Sequence, residues 1–162
     1  VIEKHSSTIS SIVPINSNTI ATSSYDKTIK LWDLDTKRCI GTIYGHSAEI
    51  ESLLYINTIK FQNYIFSTAY DKILVWDLTT FQCIKEIKTD NIIHSITLFD
   101  KNILLTTSID KIDLWNISDL VLEKLSTLNY KCKEFIQISN LEKKQIYAML
   151  NDKEIKVYEN IM

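Results

Sequence analysis

The feature that most constrains this fold is a short motif that occurs four times along the chain. Each copy has Asp-Lys near its start and an aliphatic, an aromatic and a polar residue at its end. The copies lie at residues 25–33, 70–77, 109–116 and 151–159. Their aromatic anchors recur about every forty residues and are Trp32, Trp76, Trp115 and Tyr158. A period of this size indicates an array of similar units that pack on their neighbours.

Composition excludes several classes of protein. The 162 residues are 45% hydrophobic and 23% charged, with a formal net charge of -2. Without a basic excess the chain is not expected to bind nucleic acid, and no apolar run is long enough to predict a membrane span. The three cysteines have no disulfide-framework spacing, which favours an intracellular compartment, cytoplasmic or nuclear.

Short segments rich in Ile, Val, Thr, Tyr and Phe alternate with clusters of turn-forming residues, and none shows a helical period over about ten residues. The chain is therefore predicted to be all-β. The predicted strands lie at about 8–13, 18–24, 28–33 and 37–43, then 49–55, 63–69, 73–77 and 81–87, then 92–98, 102–108, 111–115 and 119–125, and finally 133–138, 145–150 and 154–158. Four strands per repeat of this length predict the antiparallel blades of a β-propeller, at about 5–43, 46–87, 89–125 and 131–159.

Residues 1–4 closely match residues 121–124, the predicted outer strand of the third blade. They are therefore predicted to be an orphan outer strand, of the kind that completes a blade at the other end of a propeller. Three arrangements remain open: a four-bladed ring, a dimeric ring in which residues 1–4 complete the partner's last blade, and a segment of a longer propeller. We favour the segment, because four blades are about half of a common ring.

These repeats resemble the WD-repeat family over residues 1–159. The resemblance implies a hydrogen-bonded tetrad of His, Ser or Thr, Asp and Trp inside each blade. The residues at those positions are His5, Thr22, Asp26 and Trp32, then His46, Ser67, Asp71 and Trp76, and then Thr106, Asp110 and Trp115, with Thr89 near the third His position. In the fourth blade Lys131, Ala148 and Tyr158 replace the usual residues, which predicts the weakest blade. The second and third repeats also have one residue fewer between Asp and Trp, which predicts a tighter turn.

A hydroxyl, a His and an Asp that meet in space would also suit a hydrolase. We favour a buried structural network, because the trio at His5 and His46 recurs at the repeat spacing beside a Trp. The sequence has no G-x-S-x-G elbow, Gly-rich phosphate loop, Cys-x-x-Cys or His pair at metal spacing. It therefore predicts no catalytic residue, metal or cofactor.

The resemblance also implies a partner-binding face formed by loops at one end of the blades. The residues that map to this face are Tyr25, Thr8 and Ser10, then Tyr70, Glu49 and Glu51, then Ile109, Ile92 and His94, and then Asn151, Glu134 and Ile136. This acidic and aromatic set would suit a basic or Arg-containing protein or peptide. The alternative is that these are solvated loop residues.

The sequence thus predicts a non-catalytic protein–protein interaction scaffold within a larger assembly. A second hypothesis from the resemblance is the substrate-recognition propeller of a ubiquitin ligase. The third and least favoured is a hydrolase that uses the trio at His5 or His46.

Overall fold

The structure is a computed structural model of the chain. It describes the backbone of residues 4–57, 62–100, 102–118, 121–129, 134–141, 144–150 and 155–161. Side chains are described for residues 4–57, 62–99, 102–117 and 122–129. Within these ranges all the regular structure is β, which confirms the predicted fold class.

Fifteen strands follow one another along the described residues. They are β1 Ile9–Pro14, β2 Thr19–Ser24, β3 Ile29–Asp33, β4 Arg38–Ile43, β5 Ser52–Ile56, β6 Tyr64–Ala69, β7 Lys72–Asp77, β8 Gln82–Lys88, β9 Ser95–Asp100, β10 Ile103–Thr107, β11 Lys111–Ser118, β12 Val121–Asn129, β13 Glu134–Leu141, β14 Lys144–Leu150 and β15 Ile155–Ile161.

Each sheet is an antiparallel meander in which consecutive strands pair. Blade 1 contains β1–β4, blade 2 contains β5–β8, blade 3 contains β9–β12, and blade 4 contains the described strands β13–β15. The predicted four-stranded antiparallel form is therefore confirmed for blades 1 to 3.

The Asp that follows the Trp of the motif closes the turn between the third and fourth strands. Asp33 Oδ1 accepts a hydrogen bond of 2.7 Å from the Thr36 N–H, and Asp77 Oδ1 accepts one of 2.7 Å from the Thr79 N–H. Asp commonly forms such turns, because its short side chain can accept from the backbone two or three residues ahead. This explains why Asp recurs directly after the Trp in the first two repeats.

The outer strands of blades 1 to 3 share a β-bulge opposite the Trp of the neighbouring strand. The pairing skips Ile40 in β4, Ile84 in β8 and Leu125 in β12. All three skipped side chains are exposed. The bulge is therefore a repeated property of the blade rather than a local irregularity.

The chain divides into two compact units, residues 1–92 and 93–162. In the first unit one face of blade 1 packs on the Trp-bearing face of blade 2. The buried side chains of this core are Ala21, Ile29, Leu31, Ile43, Ile50, Leu53, Ile65, Leu74 and Trp76. In the second unit blade 3 buries Leu104, Ile112 and Trp115. Burial of apolar surface at about 25 cal/mol per Å² makes these layers the main source of stability.

Several predictions fall outside the described residues. These are the first three residues of the orphan strand, Lys131, and the side chains of Ala148, Tyr158 and Glu134. The orphan strand and the weak fourth blade therefore remain predictions. In the part of the chain that is described, no helix could cross a membrane.

Candidate functional site

Blade 1 contains a continuous chain of side-chain hydrogen bonds that links β2, β3 and the segment before β1. The Trp32 indole N–H donates to Thr22 Oγ1 at 2.8 Å, and Thr22 Oγ1 lies 2.7 Å from His5 Nε2. On the other side of the ring, His5 Nδ1 lies 2.8 Å from Asp26 Oδ2. Because a carboxylate can only accept, Nδ1 carries the proton in this hydrogen bond.

Asp26 is held in place from several sides. Its carboxylate accepts from the Thr28 hydroxyl at 2.6 Å, the Thr28 N–H at 3.0 Å and the Ser6 N–H at 2.9 Å. Burial raises the pKa of Asp26, but the hydrogen bonds from Thr28, Ser6 and His5 outweigh it and hold that pKa well below its usual range. The carboxylate thus stays ionised and fixes both the turn after β2 and the segment that carries His5.

Blade 2 contains the same network without its acidic end. The Trp76 indole N–H donates to the buried Ser67 Oγ at 2.7 Å, and His46 Nε2 lies 2.6 Å from the same oxygen. No hydrogen bond joins the Asp71 carboxylate to His46, so the structure does not bring these two predicted partners together. Burial, with a smaller contribution from Lys72, lowers the pKa of His46 to about 4. His46 is therefore neutral at pH 7.

The shorter turn of blade 2 explains why its Asp is displaced. In blade 1 the left-handed residue of the turn is Lys27, directly after the Asp, with φ of 69°. In blade 2 it is Tyr70, directly before the Asp, with φ of 55°. Ala69 pairs with Lys72 in blade 2, which leaves only two residues in the turn. Moving the left-handed residue from one side of the Asp to the other redirects the backbone that carries the carboxylate.

Blade 3 keeps only the Trp–hydroxyl part of the network. The Trp115 indole N–H donates to Thr106 Oγ1 at 2.8 Å, whereas Asp110 is exposed in its turn. The buried Asp113 instead accepts from Thr127 at 2.5 Å and lies 3.0 Å from Lys124 Nζ. The repeat motif does not predict these two contacts of Asp113. The sequence does contain a signal for these contacts, because an Asp lies two residues before the Trp of the motif, where blade 2 has Leu.

The hydrogen-bond networks of blades 1 and 2 are structural, and their hydroxyls are not accessible for catalysis. The hydroxyls of Thr22 and Ser67 are buried, and each already accepts an indole N–H, so neither is presented to a substrate. Thr89, near the third His position, donates instead to the Asn91 carbonyl at 3.0 Å. Within the described ranges, no group of three or more His, Cys, Asp and Glu residues could hold a metal ion.

An acidic and aromatic cluster lies where the loop before β5 meets the turn after β2. The Tyr25 hydroxyl donates to Glu51 Oε2 at 3.3 Å. The charge of Glu51 is the main cause that raises the pKa of Tyr25, followed by burial, the hydrogen bond from Tyr25 to Glu51 and the charge of Glu49. On the other flank, Lys27 Nζ donates to the Ser47 carbonyl at 3.0 Å. The loop is therefore tied to blade 1 at both ends, which positions Glu49 and Glu51.

The other predicted face residues occupy varied surroundings. Tyr70 in the first unit is 57% exposed, and Ile109 in the second unit is 70% exposed. His94 is half-buried, and its N–H donates to the Thr107 carbonyl at 2.8 Å. In blade 1 the Thr8 carbonyl accepts from the Tyr25 N–H. The Ser10 hydroxyl forms a hydrogen bond with the Ser23 hydroxyl, and Ile92 is exposed. The side chains of the last three face residues lie outside the described residues; these are Glu134, Ile136 and Asn151.

Comparison with known proteins agrees with the geometry of the blades. The family described as "WD domain, G-beta repeat" matches residues 1–33. A probable E3 ubiquitin ligase complex SCF subunit sconB of Aspergillus clavatus is 48% identical over 42 residues, which cover 26% of this chain and 6% of that protein. Nuclear distribution protein PAC1-2 of Uncinocarpus reesii is 42% identical over 71 residues, covering 43% of this chain and 15% of that protein. The chain thus spans a small part of these curated relatives.

Two solved structures resemble nearly the whole chain. The computationally designed Ika4 protein matches with a TM-score of 0.70 and 22% identity, covering 98% of this chain and 94% of that chain. A chain of the mitotic checkpoint complex matches with a TM-score of 0.76 and 13% identity, covering 99% of this chain and 52% of that chain. At these identities the likeness shows the fold alone.

Proposed function

Since the chain belongs to the WD-repeat family, we propose that it is a non-catalytic scaffold that binds a protein or peptide on its loop-lined face. The proposal places it inside the cell, in the cytoplasm or nucleus, as one part of a larger assembly. The free thiols of Cys39 and Cys83 support the intracellular location. Binding rather than catalysis is favoured because the hydroxyls of the His networks are buried.

The observation that carries this proposal is the cluster of Tyr25, Glu49 and Glu51. The charge of Glu51, with burial and a smaller contribution from Glu49, raises the pKa of Tyr25, which is the direction expected where the local potential is negative. The nearby ammonium of Lys27 is directed to the Ser47 carbonyl rather than to Glu51. A guanidinium or ammonium of a basic partner would therefore find two carboxylate acceptors beside an aromatic ring.

The expected role of this cluster is selectivity more than affinity. Ion pairs at an exposed rim contribute only about 0.2–1 kcal/mol each, but they increase the rate of encounter and disfavour acidic partners. Most of the binding free energy would come from aromatic anchors. Of the two Tyr residues on the predicted face, Tyr70 is the more exposed, at 57%, and is the one proposed for that role.

The test is binding to an array of Arg-containing peptides, each paired with its citrulline counterpart, measured by fluorescence anisotropy at low and moderate salt. We expect selective binding of Arg peptides that weakens with salt and falls about tenfold, or ~1.4 kcal/mol, in the Glu49→Gln/Glu51→Gln variant. Glu86→Gln is the matched control, because Glu86 is an exposed carboxylate on the outer strand β8. Equal binding of Arg and citrulline peptides, or an equal loss of affinity in the Glu86→Gln control, would contradict the proposal.

The second candidate function is substrate recognition in a ubiquitin ligase. It is favoured by the similarity of one repeat-sized segment to the probable SCF subunit sconB. The test is immunoprecipitation of the full-length protein followed by an in-vitro ubiquitination assay on the proteins that co-purify. We expect ubiquitin transfer to a bound protein, with less transfer in Glu51→Gln. Co-purification without any ubiquitin-transfer activity would leave the plain scaffold as the function.

A hydrolase reading has its own test. We expect His46→Ala to destabilise blade 2 because it leaves the buried Ser67 hydroxyl short of a partner, at about 1–3 kcal/mol. Turnover of generic ester or peptide substrates that is lost in a fully folded His46→Ala variant would overturn the non-catalytic assignment.

A further inference from the structure

The segment that joins blade 1 to blade 2, residues 44–51, crosses one end of blade 1, and we call it the inter-blade loop. It begins at Tyr44, directly after β4, whose last residue Ile43 pairs with Ile29 at the start of β3. It finishes at Glu51, directly before β5. The loop therefore lies at the end of the sheet where the turn after β2 is found, and it runs from the outer strand of one blade to the first strand of the next.

Three contacts hold the inter-blade loop in one conformation. His46 Nε2 lies 2.6 Å from the buried Ser67 Oγ, and the Ile50 side chain is fully buried in the core between the two blades. Between them, Lys27 Nζ donates to the Ser47 carbonyl at 3.0 Å. A loop fixed at these points loses little conformational freedom when a partner binds, so less of the interaction free energy is spent on ordering it.

The side chains that the loop leaves in solvent are an aromatic ring at its start and a carboxylate near its finish. Tyr44 is 73% exposed, the largest exposed fraction among the large hydrophobic side chains described, and Glu49 is exposed. Isolated exposed apolar residues are common on protein surfaces. Tyr44 differs because it lies on the same fixed loop as the two carboxylates that the proposed function already uses. A Tyr in such a place offers a large contact area at a small cost in side-chain entropy.

The charge of Lys27 determines which kind of group suits the Tyr44 end of the loop. Its ammonium is hydrogen-bonded at Ser47, which lies between Tyr44 and Glu49 along the loop. A second cation on the Tyr44 side would be repelled over a distance of this order, whereas an uncharged apolar side chain would not. The ring is therefore matched to an aliphatic residue, and the carboxylates to a basic one.

Building on the proposed function, we propose that Tyr44 is a further anchor residue of the binding face and that the partner is a short segment with two determinants. An aliphatic side chain of the partner contacts the Tyr44 ring, while an Arg of the same segment reaches Glu49 and Glu51. Tyr44 and Glu49 are five residues apart. Five extended residues span at most about 18 Å, so the two residues of an extended partner lie no more than about five positions apart.

The test is a double-mutant cycle between protein and peptide, measured by fluorescence anisotropy. The probe is a short peptide with one Arg and one Leu about four residues apart, made in both orders, with counterparts in which Ser replaces Leu. We expect wild-type protein to bind one Leu peptide about tenfold tighter than its Ser counterpart, and Tyr44→Ser to abolish that difference. Tyr44→Phe should keep the difference, because the contact depends on the ring and not on the hydroxyl.

Leu34→Ser is the matched control. Leu34 is a 45% exposed apolar residue of the same blade, and it directly follows β3, at the opposite end of the sheet from the inter-blade loop. This variant should bind both peptides as wild type does. Urea midpoints equal to wild type in the Tyr44 and Leu34 variants would show that any change in affinity comes from the surface and not from the fold.

A second measurement locates the contact directly in wild-type protein. A diazirine analogue of Leu in the tighter peptide should form cross-links to residues 44–47, identified by mass spectrometry. Cross-links confined to other segments, or independent effects of Tyr44→Ser and the Leu replacement, would overturn this inference. If Arg peptides still bind better than citrulline peptides, such a result leaves the proposed function in place. Equal binding of Arg and citrulline peptides by wild type would overturn both.

Discussion

His46 should make the stability of the first unit depend on pH. Its pKa is 6.5 in an unfolded chain and about 4 in the folded protein, where burial disfavours the charged ring. Between these values the unfolded state binds the additional proton, so the free energy of unfolding falls as the pH falls through this window. The full difference of about 2.5 pKa units corresponds to ~3 kcal/mol, and about 2 kcal/mol of it should be lost between pH 8 and pH 5.

The assay is urea unfolding followed by tryptophan fluorescence, since the Trp76 ring lies 5.5 Å from that of His46. The free energy of unfolding is compared at pH 8 and pH 5 for wild type and His46→Gln. We expect the variant to lose about 2 kcal/mol less over this interval than wild type, because Gln does not titrate. Asp71→Asn is the control and should keep the wild-type slope, because no hydrogen bond joins Asp71 to His46. Parallel losses in wild type and His46→Gln would refute the reasoning.

Three further predictions concern the same networks and are tested by urea unfolding at pH 7. Asp26→Ala should lower the free energy of unfolding by about 2–3 kcal/mol, because the turn after β2 and His5 both lose their hydrogen bonds to the carboxylate. Asp71→Ala should change the free energy of unfolding by no more than about 0.5 kcal/mol. Similar losses in the two variants would contradict the difference between the two turns. Gly45→Ala should lower the free energy of unfolding by about 1–3 kcal/mol, because the φ of Gly45 is 141° and the added Cβ would lie 2.9 Å from Trp76 Cη2. An unchanged urea midpoint would contradict this. Thr106→Val should cost about 1–3 kcal/mol, because the indole N–H of its blade loses its acceptor, and a neutral result would mean that water replaces the hydroxyl.

The fold could be predicted because strand signals and turn residues agree at every repeat. The aromatic and β-branched residues of segments such as β6 and the turn chemistry of Asp33 and Asp77 both depend on nearby sequence. The Trp–hydroxyl contacts of the first three blades were expected from the resemblance to the WD-repeat family. The register of the paired strands places each Trp and its hydroxyl residue as diagonal neighbours on one face of the sheet.

Contacts between blades and changes of turn geometry could not be predicted in this way. The sequence shows that the second repeat lacks one residue before its Trp, but not that Tyr70 would take the left-handed conformation in place of the residue after Asp71. The bonds from Tyr25 to Glu51 and from Lys27 to Ser47 join different repeats, and their formation depends on how two sheets pack. The role of Asp113 could not be predicted from the repeat motif, because its partners belong to the outer strand β12, which the motif does not include.

The recurrent bulge at Ile40, Ile84 and Leu125 also bears on how such an array avoids aggregation. Each outer strand lies at the edge of its sheet, where unpaired N–H and C=O groups could template the strand of another molecule. A bulge breaks the regular spacing of those groups and increases the local twist, so a straight incoming strand cannot stay in register beyond that point. The same irregularity in three blades thus protects a protein with several sheet edges from edge-to-edge polymerisation into fibrils.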